Sequence, residues 1–259
     1  MCIRDSGDGS PNTGVRLVAN VIFGEGGNGG FAEALVYGAD KGARISSNSW
    51  SYTQPKYVNT DVLDAIDYAV AKGAIVVFSV SNSNDGKKRY PAYYAPTIAV
   101  AALENDGRRW GTPGNDGTDY GDWVDVAAPG VAVVSTIGGG RYAGSSGTSM
   151  AAPHVAGVLA LGASLDTAAG GRPTRAALLA CLSSTARDVD ALNAEPGKLG
   201  AGLVDAEAFL ACAAGDDEEA ARDAAAPRQL EIAGVKRMAA TGLVSWASDD
   251  DEAFAVAYK

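Results

Sequence analysis

The chain has 259 residues, 47% hydrophobic and 20% charged, with 33 glycines, enough for one globular domain and part of another. Its net charge of -10 argues against a nucleic-acid partner, whose phosphates it would repel. No apolar run approaches the roughly 18 residues of a membrane span, and a lone histidine, His154, leaves no multi-histidine zinc site.

Residues Met1 to Ser6 have no apolar centre and read as a leader foreign to the fold. Val15 to Phe23 predicts a strand, Phe31 to Lys41 a helix and Ala43 to Ser47 a second strand. In Asp61 to Lys72 the apolar Val62, Leu63, Ile66, Ala69 and Val70 fall at helical spacing, with Thr60 or Asp61 as cap and Gly73 as stop. Ala74 to Val80 is a continuous β-rich run, expected of a strand buried on both faces. Further strands are expected at Thr97 to Leu103, Trp123 to Ala127 and Val131 to Thr136, then helices through Leu165, from Thr174 to Ser183 and from Asp205 to Ala213. Strands alternating with helices imply an α/β fold: a parallel sheet with helices on both faces, its ligand edge at the carboxyl ends of the strands.

Residues 215–227 are acidic and alanine-rich and read as a linker closing a domain over 7–214. Beyond it, 228–259 holds two expected strands, Gly242 to Ala247 and Ala253 to Tyr258, whose spacing resembles the start of a fibronectin III-like sandwich. Setting Cys2 aside, Cys181 and Cys212 are two buried thiols or one disulfide, the second pointing to an oxidising compartment.

Two motifs compete for function. Gly24-Glu25-Gly26-Gly27-Asn28-Gly29 matches a dinucleotide fingerprint, but no aspartate or glutamate lies between Asp40 and Asp61 to hold a ribose, so it reads as a loop. Gly147-Thr148-Ser149-Met150-Ala151-Ala152-Pro153-His154-Val155-Ala156-Gly157 puts a serine at a helix mouth, with Pro153 expected in the first turn. Unpaired N–H groups and the helix dipole there would stabilise an oxyanion. Serine at a helix start is ordinarily a cap. The string fails the final glycine of a nucleophile elbow and no other serine fits G-x-S-x-G, which argues against an α/β-hydrolase. His154 is no base for Ser149, since five residues of helix turn it about 140° away.

The eleven-residue string resembles the serine signature of the subtilisin-like proteases, and its Met150 to His154 part looks like the subtilisin branch and not the sedolisins. The resemblance extends from Val15 to Ala213 through Tyr90-Pro91-Ala92, Val126-Ala127-Ala128-Pro129-Gly130 and Leu199 to Ala206, and Ser10-Pro11-Asn12 matches weakly ahead of it. It implies a three-layer α/β/α fold, incomplete at the N-terminus, and a serine endopeptidase that cleaves polypeptides through an acyl-enzyme on Ser149. Asn82 would complete the oxyanion hole, with Asn84 a weaker rival, and Ser49, Trp50, Ser51, Ser79, Val80 and Ser81 would line the substrate site. Ser81 and Ser51 stand where the family has glycine, which changes the specificity pocket.

The family's catalytic aspartate and histidine segments have no counterpart here, so the chain by itself is expected to be inactive. No cofactor is identifiable; calcium and secretion are implied by the resemblance alone. The alternative is a catalytically dead subtilase-like module that binds peptides or partner proteins. Intact Ser149 and Asn82 favour the enzyme.

Overall fold

The structure, a computed structural model, describes residues 14–23, 30–112, 114–165, 170–194, 196–215 and 251–257. Strands β1 (Gly14–Ala19), β2 (Ile45–Asn48), β3 (Ile75–Ser79), β4 (Thr97–Leu103) and β5 (Val126–Pro129) alternate with helices α1 (Phe31–Asp40) and α2 (Thr60–Ala71). A hairpin of β6 (Val133–Ile137) and β7 (Arg141–Ser145) follows, then α3 (Thr148–Ser164), α4 (Arg175–Ser184), α5 (Ala206–Ala214) and β8 (Asp251–Ala257).

The main sheet has the order β1-β8-β2-β3-β4-β5, and every pairing in it is parallel. Alternation along β3 builds the three layers. Val76 and Phe78 join Leu35, Val62, Ile66 and Ala69 of α1 and α2 in one core, while Ile75 and Val77 join α3, α4 and α5 in the other. All five residues of β3 are buried, as its unbroken apolar run requires.

Several expectations shift in detail. The cap of α2 is Asn59, whose side chain accepts from the Asp61 and Val62 N–H groups, one residue ahead of the predicted Thr60 or Asp61. Gly73 does end the helix, at φ 92°. The strand expected at Trp123 to Ala127 is found at Val126–Pro129. The one expected at Val131 to Thr136 becomes β6, antiparallel to β7 in a separate two-stranded sheet, not a member of the parallel sheet. Residues 251–257, which the sequence grouped with a second domain, run as β8 between β1 and β2. The other expected strand of that region, Gly242 to Ala247, and the glycine-rich 24–29 lie outside the described residues.

Helix α3 is the axis of the second core. Ala151, Ala152, Val155, Ala156, Leu159, Ala160 and Ala163 are buried along it, and only small residues let a helix lie this close to a sheet. At its far end the Phe209 ring of α5 packs on Gly162; a Cβ there would stand 2.5 Å from the ring. Cys181 of α4 and Cys212 of α5 form a disulfide, Cα atoms 5.7 Å apart, which resolves the two readings of that pair.

Candidate active site

Ser149 lies at the amino end of α3, one residue past the first helical position. The N-cap is Gly147, at φ 152°, where a Cβ would come 3.3 Å from the Asn82 amide nitrogen. Glycine is therefore required twice, by backbone conformation and by the neighbour's approach. The Thr148 N–H and hydroxyl both donate to Asn82 Oδ1, at 2.9 and 2.7 Å. With its oxygen occupied by two donors, the amide is locked in one orientation, and Nδ2 has no acceptor among the described residues and lies beside Gly147 at the helix mouth. The Ser149 N–H also makes no hydrogen bond among the described residues, whereas Met150 N closes a turn onto Gly147 O. Two donors and the positive end of a 17-residue helix thus surround the serine hydroxyl.

Pro153 sits in the second turn of the helix and not the first, as the sequence had it. Lacking an N–H, it cannot bond the Ser149 carbonyl four residues back. The Ser49 hydroxyl supplies that missing donor at 2.8 Å, and the Ser149 hydroxyl lies 3.4 Å from the Ser49 carbonyl in return. Ser49, just past the end of β2 and buried, therefore holds the serine's own backbone. Sequence reasoning placed Ser49 at the substrate edge but missed this role; its signal was a proline four residues after the serine.

The other candidate substrate residues divide. Trp50 is buried among Phe31, Phe78 and Tyr52, ring centroids 4.5, 5.0 and 5.8 Å away, so its side chain belongs to the core. Ser79 and Val80 are buried at the end of β3, Val80 N bonding Val100 O. What these three offer a ligand is backbone. Ser51 is partly exposed, and Tyr52 N pairs with Tyr90 O. Ser81 takes φ 100°, the left-handed region for which glycine is the natural residue. Asn84 is removed from contention: its amide nitrogen is given to Thr112 O and Asn115 O and its oxygen accepts from Arg109. His154 turns away as expected, with Nδ1 2.8 Å from Met150 O.

A serine at a helix mouth, two N–H donors beside it and a backbone edge stand in order along a parallel α/β chain that matches a known family in sequence. The model of the subtilase family matches residues 10–202. The chain belongs to the subtilase family. It is 41% identical over 158 residues to a thermophilic serine proteinase of Bacillus sp. (strain AK1), covering 60% of this chain and 37% of that protein. It is 41% identical over 133 residues to thermitase of Thermoactinomyces vulgaris, covering 51% of this chain and 45% of thermitase. A solved protease from Pseudoalteromonas arctica superposes with a TM-score of 0.60 at 28% identity, over 70% of this chain and 57% of that one. This subtilase chain thus spans less than half the length of those two sequence relatives.

Among the described residues no three His, Cys, Asp or Glu side chains are grouped to hold a metal ion. No described helix is long and apolar enough to cross a membrane.

Proposed function

We propose that this subtilase domain is the acyl-transfer half of a serine endopeptidase, with Ser149 as nucleophile. The observation that carries the reading is the locked Asn82 amide, whose free Nδ2 faces the helix mouth beside the serine. As Ser149 Oγ attacks a peptide carbonyl, the oxygen that gains charge is received by Asn82 Nδ2 and the Ser149 N–H, donors already in place. The tetrahedral intermediate then expels the amine and leaves an acyl-enzyme, which water hydrolyses. The substrate backbone pairs alongside Ser49, Trp50 and Ser51 on one flank and Ser79, Val80 and Ser81 on the other, as an added strand.

The base for Ser149 is a histidine oriented by an aspartate, both supplied by sequence outside this chain, since His154 is committed to Met150. The chain by itself is accordingly inactive. The Cys181–Cys212 disulfide supports an oxidising, extracellular destination, and calcium is implied by the family alone. The domain comprises 7–214 and the strand 251–257, which completes its sheet between β1 and β2 from beyond the acidic linker 215–227.

The test compares the gene's complete product with this 259-residue chain expressed alone, on a chromogenic peptide amide. Turnover by the complete protein, abolished by S149A and missing from the isolated segment, is expected. A complete protein that carries histidine and aspartate yet leaves the peptide intact would overturn the reading, as would an S149A variant of undiminished activity.

A further inference from the structure

The loop that carries Asn82 is held by more than the end of β3. Residues 117–120 run beside it: Asp119 N bonds Ser81 O at 3.0 Å, Gly117 N bonds Asn82 O at 3.3 Å, and Asn84 N bonds Gly117 O at 2.8 Å. Tyr120 N bonds Asp85 O at 3.2 Å, and Asp85 N reaches the Asp119 carboxylate at 3.3 Å. These two stretches lie far apart in sequence; Arg109 bonds the Asn84 side-chain oxygen and the Thr118 carbonyl at one end, and the buried Arg89 joins them at the other. Arg89 Nη1 donates to Asp85 at 2.7 Å and to Asp119 at 2.5 Å, while its Nη2 reaches the second Asp85 oxygen at 3.2 Å. Arg89 is 3% exposed and Asp119 fully buried. The next residue, Tyr90, accepts from Tyr52 N on the substrate edge. The Arg89 guanidinium therefore ties the Asn82 loop to the segment 117–120, and its neighbour's carbonyl ties both to the substrate edge.

We propose that Arg89, clamped between Asp85 and Asp119, is a positioning residue that fixes Asn82 relative to Ser149. A rigid two-nitrogen fork suits this, because each nitrogen has a fixed direction and the charge is permanent. Removing it leaves the fully buried Asp119 carboxylate facing the partly exposed Asp85 with no cation between them, which forces them apart or Asp119 into protonation. The electrostatics agree with a tightly made cluster. Burial pushes the Asp119 carboxyl up to about 6, against the Asp85 N–H and the Arg89 charge that favour its ionised form. Asp85, though burial works the other way, is held well below the usual carboxylate range by hydrogen bonds from Arg89 and Lys87. Lys87 sits on the outer face of Asp85, and Arg109 donates to the Thr118 carbonyl next in line.

The inference rests on Asn82 being the oxyanion donor, but its test does not need turnover. Amide hydrogen exchange on the whole chain is read at Asn84, Gly117 and Asp119, which bond across the loop, and at Val77 and Phe78 of β3, which report the core. In R89M the three loop amides should exchange at least 30-fold faster than in the wild type, with β3 changing several-fold less. R89K keeps the charge without the fork and should show the same local pattern at about tenfold. Equal acceleration at loop and core would make Arg89 a general stabiliser and overturn the proposal; so would an unchanged loop. Should R89M not fold, R89K alone decides by the same criterion. In the complete protein, R89K should lower kcat while leaving KM nearly unchanged. A loosened loop in a protein without peptidase activity would sink the enzyme reading and not this one; a rigid loop in an active R89K enzyme would do the reverse.

Discussion

The bond between the Ser49 hydroxyl and the Ser149 carbonyl allows a quantitative test of why a proline sits inside α3. Pro153 removes the helical donor to that carbonyl, and Ser49 replaces it at 2.8 Å from a different element. Ser49→Ala leaves a partly buried carbonyl without a donor, a loss of about 1–2 kcal/mol. In a Pro153→Ala background the restored N–H reaches the same carbonyl, and Ser49→Ala should then cost about 0.5 kcal/mol or less. The coupling between the two positions is therefore about 1 kcal/mol. Urea unfolding of the four proteins in the cycle measures it, provided the slope m is common to all four. Additivity within about 0.3 kcal/mol would refute the idea that one donor substitutes for the other.

Four further outcomes are expected. Ser81→Gly, at a position with φ 100°, should stabilise the fold by roughly 1 kcal/mol in urea unfolding, because glycine carries no Cβ penalty there. Replacing Cys181 and Cys212 by serine opens a loop of 31 residues and should cost about 3–4 kcal/mol, seen as a lower thermal midpoint that reductant no longer shifts. In the complete protein, Asn82→Leu should lower kcat by about 10²–10³ with little change in KM, a range established on a subtilisin's own side-chain donor; a kcat within a few-fold of wild type would remove Asn82 from the oxyanion hole. Asp119, whose folded pKa of about 6 lies above the ordinary carboxylate value, holds its proton in the folded state between about pH 4 and 6 while the unfolded chain releases it. Its contribution is therefore full below that window and lost as pH rises through it, so the stability of wild type relative to D119N should fall by roughly 2 kcal/mol from pH 4 to 7. Asp85 runs oppositely, contributing above about pH 4 and losing that as pH drops further. A pH-independent difference between wild type and D119N would count against the buried placement of Asp119.

The layered fold was legible because its signals are local and periodic. The apolar run Ala74 to Val80 and the helical spacing from Val62 to Val70 each name a face, and both cores use those faces. The serine string was legible because eleven consecutive residues specify one helix mouth. The hairpin was misread for a physical reason: β6 and β7 are short and largely exposed, so an apolar run at Val131 to Thr136 carries no mark of which partner it chooses. The clamp on the loop that carries Asn82 was not legible at all. Arg89, Asp85 and Asp119 look like three ordinary surface charges until the chain brings residues 81–85 and 117–120 together. Likewise Thr148 gave no sign of orienting an amide on β3's carboxyl end; that follows only from two donors meeting one oxygen.

Phe209 seated on Gly162 has a consequence at the opposite end of the molecule. Gly162 lies about 20 Å along the axis of α3 from Ser149, at roughly 1.5 Å per residue. A helix packed among small side chains is free to slide or swivel unless something indexes it, and this notch is where the ring of α5 engages. The depth at which the serine stands in its cleft is thus set from behind, like a bolt whose travel is stopped by a pin. Lengthening the shaft by one residue between notch and serine would turn the hydroxyl by about 100° and carry it away from Asn82 and Ser49, even with every residue of the site itself unchanged.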